Sequence, residues 1–533
     1  MRRIPRYAWI IPIFVFTILM VMGARTHSLW GDEAETALFG KSILTHGVPY
    51  GWDGTNIMGI DNAVVLNKNL INHTSPWAQY YIAALGLLLG NSSFAVRVPF
   101  MVISLLCLWA LYKLAVTVTG DKKVGLMTLV LICGSIQFIL FSYQARHYMP
   151  STLGAILMTL GAVHMLHKKR YGLVFILGGV LYFYANYVSF FAWYVALCIA
   201  LFVYWRMMGV AMGKSIRTFV AYSAGIVVLT APWFFILNPL DTRGVIGLPV
   251  AENLFARFGN ALYDAFFVYN FNNTFPFIFL ILVVWALWRQ RRVLVLPLIL
   301  GSTYLLGMAV LSTIVQTDTL FTDVRYTMPV ITMWSLVLGI SFVELGKKYF
   351  YPTIIVILVF IFSTVFTFGD IISLPVLYLS EITHPYTAPD DAVAGYLRAH
   401  AKKGDTVWLS LDRDYEPLMF TLGDFVRFVN RVSLTNTRIF PKNRNLIPRY
   451  VYDFRGAPDW LVFYSDRGKD GTFMTFDYRT PPEGIDVADA YDQTILPVFF
   501  SDLTRPELEH RSFGEIPATG GDKIFIYHKK AGL

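Results

Sequence analysis

The sequence has little charge and almost no cysteine. Only 15% of its 533 residues are charged, whereas 56% are hydrophobic, and the mean hydropathy is +0.53. A soluble chain of this length carries more charge, so the composition indicates a polytopic membrane protein. The three cysteines, Cys107, Cys133 and Cys198, all lie in apolar runs, which argues against a disulfide framework or a cysteine-based metal site.

Motifs of common soluble enzymes are also missing. The sequence has no Walker A motif, no His-Glu-x-x-His pair, no Gly-x-Ser-x-Gly elbow and no Rossmann fingerprint. The net charge of +9 comes from short basic clusters between apolar runs, which is typical of cytoplasmic loops, and it forms no basic stripe for nucleic acid. Chemistry is therefore to be sought in polar residues near the ends of the spans.

Apolar runs long enough to cross about 30 Å of hydrocarbon recur about eleven times. They lie at residues 7–24, 95–118, 124–142, 149–166, 172–187, 188–205, 218–237, 274–288, 293–313, 327–345 and 353–369. The first run has no small-residue cleavage site after it, so we interpret it as an uncleaved membrane helix.

A shorter run at 76–90 would be about 22 Å long as a helix. If it does not cross, the N-terminal arginines fall on the same side as the other basic clusters, as the positive-inside rule requires. We therefore expect a juxtamembrane helix there. The same rule makes the N-terminus cytoplasmic and puts the loop at 25–94 on the outer face.

The tail after residue 370 is also placed outside, and its pattern changes. A helix beginning at Asp390 or Asp391 is followed by strand candidates. The strands are predicted at 406–411, 459–465, 495–501 and 523–529. Residues 1–370 are thus expected to form a membrane domain, and residues 371–533 a small extracytoplasmic α/β domain.

The segment "LWGDEAETALFG", residues 29–40, opens the first outer loop with three carboxylates. Asp32 followed three positions later by Glu35 is a capping-box pattern, which predicts that Asp32 begins a helix. An ionised carboxylate at the water–lipid boundary is also what a general base needs. The two roles are compatible, so the residues alone leave both open for Asp32, whereas Glu35 is interpreted as structural.

A cationic set occupies the other outer loops. Singly, each member is interpreted as an interfacial anchor or headgroup contact; together with Asp32 they suit a phosphate held at the membrane surface. The members are Lys68, His73, Arg146, His147 and Arg325.

The order of these segments resembles the GT-C membrane glycosyltransferases, in the protein O-mannosyltransferase-like branch that includes the aminoarabinose transferases of lipid A. The resemblance rests on Asp-Glu after the first span, on "HTSPWAQYYIAALG", "FAVRVPFMVISLLCLWALYKL", "YQARHYMPSTLGAILMTLGAVHML" and "VRYTMPVITMWSLVLG". It implies a GT-C fold of about eleven spans with juxtamembrane helices and a C-terminal α/β domain, in a bacterial inner membrane. The chain departs from the aminoarabinose transferases at two places, which argues against aminoarabinose as the sugar. Glu35 and Thr36 follow the acidic pair where those transferases have a basic and an aromatic residue. Thr74 and Ser75 precede Pro76 where those transferases have Lys-Pro or His-Pro-Pro.

The resemblance implies inverting transfer of a sugar from a polyprenyl-phosphate donor to a lipid, glycan or protein hydroxyl of the cell envelope. Asp32 would be the general base and Glu33 would support it. The cations would bind the donor phosphate, and Tyr148 and Tyr326 would line the substrate pocket. No metal is expected. The alternatives are a pyrophosphate-donor oligosaccharyl or O-antigen transferase with a divalent metal, and a lipid flippase or transporter.

Overall fold

The computed structural model describes most of the membrane part and much of the tail. The described residues are 7–26, 28–59, 63, 65–73, 77–165, 170–209, 212–237, 255, 258–259, 262, 275–311, 324–362, 365–367, 370–372, 374–383, 389–409, 415–432, 439–440, 442–467, 473–475, 487–498 and 522–531.

Helices form almost the whole of the membrane part. They are α1 (Ile10–Gly23), α2 (Gly31–His46), α3 (Ala78–Leu87), α4 (Ser93–Thr119), α5 (Lys122–Cys133), α6 (Ile136–Tyr143), α7 (Tyr148–His164), α8 (Arg170–Ala185), α9 (Tyr187–Met207), α10 (Met212–Leu237), α11 (Phe275–Leu311), α12 (Met328–Lys348) and α13 (Phe350–Phe362). A short 3-10 turn, Val324–Thr327, precedes α12.

Five helices in the described part are long and apolar enough to cross a membrane, in α4, α9, α10, α11 and α12. The bent pair α5 and α6 makes a possible sixth, and α1 and α8 are shorter apolar helices. Exposed apolar side chains such as Val228 and Ile281, each 69% exposed, are what a lipid-facing surface requires. The chain is a multi-pass membrane protein, as its composition predicts.

Each predicted apolar run coincides with helix, but four differ in detail. The run at 124–142 bends by 75°, because Ser135 ends one helix and caps the next by accepting a hydrogen bond from the Phe138 amide. The runs at 274–288 and 293–313 lie in one helical segment with non-helical backbone at Gln290. The last run was predicted too long: α13 ends at Phe362, and the strands β1 (Val365–Thr367) and β2 (Asp370–Ile372) follow as an antiparallel pair.

The predicted helix at 76–90 is confirmed as α3. Its ten residues would span about 15 Å, half of a hydrocarbon core. It packs against α2 and α4. Gly86 permits the close approach to α4, because a Cβ there would lie 2.6 Å from the Ala95 carbonyl oxygen.

The tail folds as helices around a mixed sheet, as predicted. Its helices are α14 (Leu374–Thr383), α15 (Pro389–His400), α16 (Glu416–Leu422) and α17 (Val487–Ala490). Its strands are β3 (Thr406–Leu409), β4 (Arg427–Phe428), β5 (Trp460–Arg467), β6 (Phe473–Thr475), β7 (Tyr491–Val498) and β8 (Asp522–Lys529). The order is β4-β3-β5-β8-β7, with β6 on β5. The β3 pairings are parallel and the others antiparallel. The strand predicted at 495–501 starts earlier, at Tyr491.

The segment at 25–94 and the tail share one hydrophobic core, which contains Phe39 and Ile57 from that segment and Leu418 and Phe428 from the tail. Asn56 joins the two parts by hydrogen bonds. Its buried amide donates to the carbonyls of Gly423 (3.1 Å) and Val426 (3.2 Å) and accepts from the Phe428 amide (2.9 Å). The C-terminal domain is therefore docked on the loop that carries Asp32.

We expect Asn56→Ala to weaken this docking by about 2 kcal/mol or more, because it leaves buried backbone groups without a partner. Thermal unfolding in detergent and the rate of proteolysis in the tail measure the effect. Asn69→Ala is the matched control, since Asn69 is exposed and its side chain accepts from the Lys442 ammonium across the same boundary. Equal behaviour of the two variants would contradict the docking role.

Candidate functional site

The acidic segment forms the first turn of α2, but not in the predicted way. The helix starts at Gly31, and the residue before it, Trp30, is extended and supplies no side-chain cap. The capping-box prediction for Asp32 is therefore wrong, because Asp32 lies inside the first turn instead of ahead of it. Acidic side chains there still interact favourably with the helix dipole.

Glu33 forms a buried ion pair with Arg97. The Arg97 Nε donates to Glu33 Oε1 at 2.9 Å, and Nη2 donates to Oε2. Oε1 also accepts from the Ala145 amide at 2.8 Å. The same guanidinium donates to the carbonyls of Ala24 (3.0 Å) and Ser28 (3.1 Å). Both oxygens of Glu33 are thus engaged inside the protein, so Glu33 acts as an anchor that fixes α2 against α4 and the loop before α7.

The sequence interpretation missed Arg97. It lies four residues into the apolar run "FAVRVPF", and its side chain is 4% exposed. An ionisable residue inside a span is costly and usually has a partner, and this signal would have pointed to an acidic residue nearby.

Arg146 links the two remaining carboxylates of the segment. Its Nη2 lies 3.1 Å from Asp32 Oδ2, and its Nη1 lies 3.2 Å from Glu35 Oε2. Nη1 also donates to the Asp32 carbonyl (3.2 Å) and to the Thr36 hydroxyl (3.3 Å). The Nε of Arg146 is buried and has no hydrogen-bond partner within the described part of the chain. Asp32, at 19% side-chain exposure, is the most accessible of the three charged groups.

Glu35 has an unusual environment for a carboxylate. Burial raises its pKa to about 8, against the effect of Arg146, and the charges of Asp32 and Glu416 raise it further. Near neutral pH Glu35 is therefore largely protonated. The Arg146 guanidinium then has mainly one negatively charged partner, Asp32. Because Glu35 does not compete with its negative charge, the guanidinium can also interact with a bound anion.

His147, the residue after Arg146, lies next to two tyrosine rings. His147 precedes α7 and is buried, with its ring centroid 4.7 Å from Tyr148 and 5.5 Å from Tyr326. The Tyr326 carbonyl accepts from the Tyr304 hydroxyl at 2.6 Å, which fixes the turn before α12. The structure thus brings three of the predicted site residues together: His147, Tyr148 and Tyr326.

The contacts described for the other predicted cations lie elsewhere. His73 is buried and its Nδ1 is 3.0 Å from the Val65 carbonyl oxygen, within the outer loop. Lys68 is exposed, and its own carbonyl accepts from the Asn443 amide at 2.9 Å. The side chain of Arg325 lies outside the described residues.

The fold defines the class of this protein as a multi-pass helical membrane protein with a mixed sheet in its tail. No protein-family model and no curated protein sequence matches the chain. Among solved structures, it is similar to the aminoarabinose transferase ArnT from Cupriavidus metallidurans in the apo state. The TM-score is 0.57 at 11% identity, with 97% of each chain covered.

The same ArnT bound to undecaprenyl phosphate aligns at TM-score 0.55 and 11% identity, over 86% of this chain and 93% of that chain. An oligosaccharyltransferase of Archaeoglobus fulgidus reaches only 0.44 at 11% identity, over 96% of this chain and 88% of that chain. At these identities the likeness concerns the fold alone.

Arg97→Met should lower the free energy of unfolding by about 3–5 kcal/mol, because it leaves Glu33 charged, buried and unpaired. Replacing both residues, with Glu33→Leu added, should recover part of the loss since no buried charge remains. Thermal unfolding of the purified protein in detergent measures both. Wild-type stability in the single variant would contradict the anchoring role of the pair.

Glu35→Gln should change how stability depends on pH. Because folding raises the pKa of Glu35 from the usual 4.5 to about 8, the folded state retains a proton that the unfolded state loses in this range. Wild-type stability therefore falls as pH rises from 4.5 to 8, and the substitution removes that contribution because a glutamine amide does not titrate. Unfolding temperatures of the two proteins at about pH 5, 6, 7 and 8 measure the difference; parallel curves would contradict the assignment.

Proposed function

We propose that this protein transfers a sugar from a polyprenyl-phosphate donor to a hydroxyl of an envelope acceptor, with inversion at the anomeric carbon. The observation that carries the proposal is the group Asp32–Arg146–Glu35 at the start of α2. It combines a partly exposed carboxylate with a guanidinium whose buried Nε has no hydrogen-bond partner within the described residues, in a fold shared with a transferase crystallised with undecaprenyl phosphate.

In the proposed reaction Asp32 accepts the proton of the acceptor hydroxyl. The acceptor oxygen forms a bond to the anomeric carbon from the face opposite the phosphate, and the bond between that carbon and the phosphate oxygen breaks. The phosphate leaves with the electron pair as the polyprenyl-phosphate anion. Arg146 stabilises the developing negative charge through its N–H groups.

Further residues are assigned to this reaction from the sequence. We retain Lys68, His73, His147 and Arg325 as candidate contacts to the donor phosphate. Tyr148 and Tyr326 are retained as candidate walls of the substrate pocket. Glu33 is assigned a supporting role, because its ion pair with Arg97 holds the turn that carries Asp32.

The charges around Asp32 favour a monophosphate donor over a metal-dependent pyrophosphate donor. Arg146 lies between the carboxylates of Asp32 and Glu35, where a divalent cation bridging them would have to lie. Both oxygens of Glu33 are already bonded to protein N–H groups. Within the described residues no group of three His, Cys, Asp or Glu side chains is placed to bind a metal. Transfer should therefore persist in the presence of a chelator.

The proposed location is the plasma membrane of a bacterium. The N-terminus would be cytoplasmic, and the loop at 25–94 and the C-terminal domain would face the outside. A flippase or transporter remains the weaker candidate, because the described buried charge in a span, Arg97, is held in a structural pair instead of facing an ion or lipid path.

Asp32→Asn should lower the rate of transfer by at least about a hundredfold, because an asparagine amide accepts no proton. Folding should stay intact, because asparagine preserves the shape of the side chain. The measurement is mass spectrometry of envelope glycans in a deletion strain complemented with each form. Asp424→Asn is the control, since this carboxylate is 86% exposed and pairs with the Lys41 ammonium. Transfer by the Asp32→Asn variant at a rate near wild type would remove Asp32 from the mechanism.

A further inference from the structure

The C-terminal domain holds a buried ion pair, Glu416 with Arg431. Arg431 Nη2 lies 2.7 Å from Glu416 Oε1. The Glu416 side chain is 1% exposed and the Arg431 side chain is 7% exposed. The same Nη2 donates to the Gly59 carbonyl of the outer loop at 3.1 Å. The guanidinium also lies over the Tyr415 ring, 4.0 Å from its centroid. The pair is therefore fixed at the boundary between the C-terminal domain and the loop that carries Asp32.

This pair adjoins the candidate site. Glu416 is the first residue of α16, which packs against α2. Its charge acts on Glu35, which in turn shares Arg146 with Asp32. At this boundary Glu416 of the C-terminal domain therefore lies close to the group formed by Asp32, Arg146 and Glu35.

The pair is only half satisfied. Glu416 Oε2 and Arg431 Nε are both buried, and neither has a hydrogen-bond partner among the residues that the structure describes. A buried ion pair carries a desolvation penalty that is offset only when the remaining lone pairs and protons are bonded. Such open atoms in a native core call for a physical explanation, and a ligand group is one that accounts for a donor and an acceptor together.

The open atoms define the chemistry of that ligand. One is a hydrogen-bond acceptor on an anion and the other is a donor on a cation, so their charges cancel. A phosphate would be repelled by Glu416, and an ammonium group by Arg431. A neutral polyol fits, because one hydroxyl can donate to the carboxylate oxygen while its neighbour accepts from the guanidinium.

We propose that Glu416 and Arg431 form a subsite that binds adjacent hydroxyls of a sugar. The inference rests on the proposed sugar transfer and adds a contribution of the C-terminal domain to it. The sugar is either that of the donor lipid or that of a glycan acceptor, since both present adjacent hydroxyls.

The test uses the full-length protein in lipid nanodiscs and the variant Glu416→Gln. We expect transfer to fall about tenfold or more, since a hydrogen bond to a charged group is lost, with binding of undecaprenyl phosphate unchanged. Asp453→Asn is the matched control, because it removes one carboxylate from the exposed ion pairs with Arg449 and Arg455 in the same domain. It should transfer as the wild type does.

Two binding measurements distinguish the sources of the sugar. The first probe is the polyprenyl-phosphate lipid pool extracted from the deletion strain, in which the unused donor accumulates. If the donor sugar occupies the subsite, Glu416→Gln weakens binding of this pool but not of sugar-free undecaprenyl phosphate. If the acceptor occupies it, both lipids bind as in the wild type and the KM for the acceptor rises.

A second variant addresses the case in which Glu416→Gln fails to fold. Arg431→Lys retains the charge of the pair and removes the Nε donor, so we expect a folded protein with the same loss. Wild-type transfer and KM values in both variants, or lower thermal stability as their only defect, would overturn the subsite. Absence of transfer and of undecaprenyl-phosphate binding in the wild type would instead overturn the proposed function.

Discussion

The buried ion pair between Glu33 and Arg97 is the interaction on which the arrangement around the first turn of α2 depends. Through it the end of α1, the first turn of α2, the start of α4 and the loop before α7 meet at one point. Its two charges lie in a region of low dielectric, where their attraction is strong and removal of either partner is costly. This junction fixes the first turn of α2, which carries Asp32 and Glu35.

The first turn of α2 therefore directs its three carboxylates to two different sides of the helix. Glu33 points into the junction, whereas Asp32 and Glu35, three positions apart, meet Arg146 on another side. Arg146 is placed there because the neighbouring amide, that of Ala145, is bonded to Glu33. The tail packs against the same region, since hydrogen bonds of Asn56 and Arg431 join it to the segment at 25–94.

Hydropathy and charge alternation predicted most helices, because burial in lipid imposes a long apolar run on each span. They also predicted the short α3, whereas the outer-face placement of the loop with Asp32 stays a prediction. The spacing of Asp32 and Glu35 was misinterpreted as a cap, because residues three apart form a capping box or share one helix face by the same pattern. Arg97 and the pair of Glu416 and Arg431 could not be assigned partners from one sequence, since the contacts join residues far apart along the chain. The start of β7 was missed by four residues because its first half is one tyrosine followed by three polar residues, which gives no apolar run.

The central claim is that Arg146, held in place by Asp32 and Glu35, binds the phosphate of a polyprenyl donor. A cryo-EM structure of the full-length protein in lipid nanodiscs with undecaprenyl phosphate tests this most directly. The account predicts phosphate density in contact with the Arg146 guanidinium. Phosphate density bound at a different part of the chain, with the Arg146 group unoccupied, would contradict it.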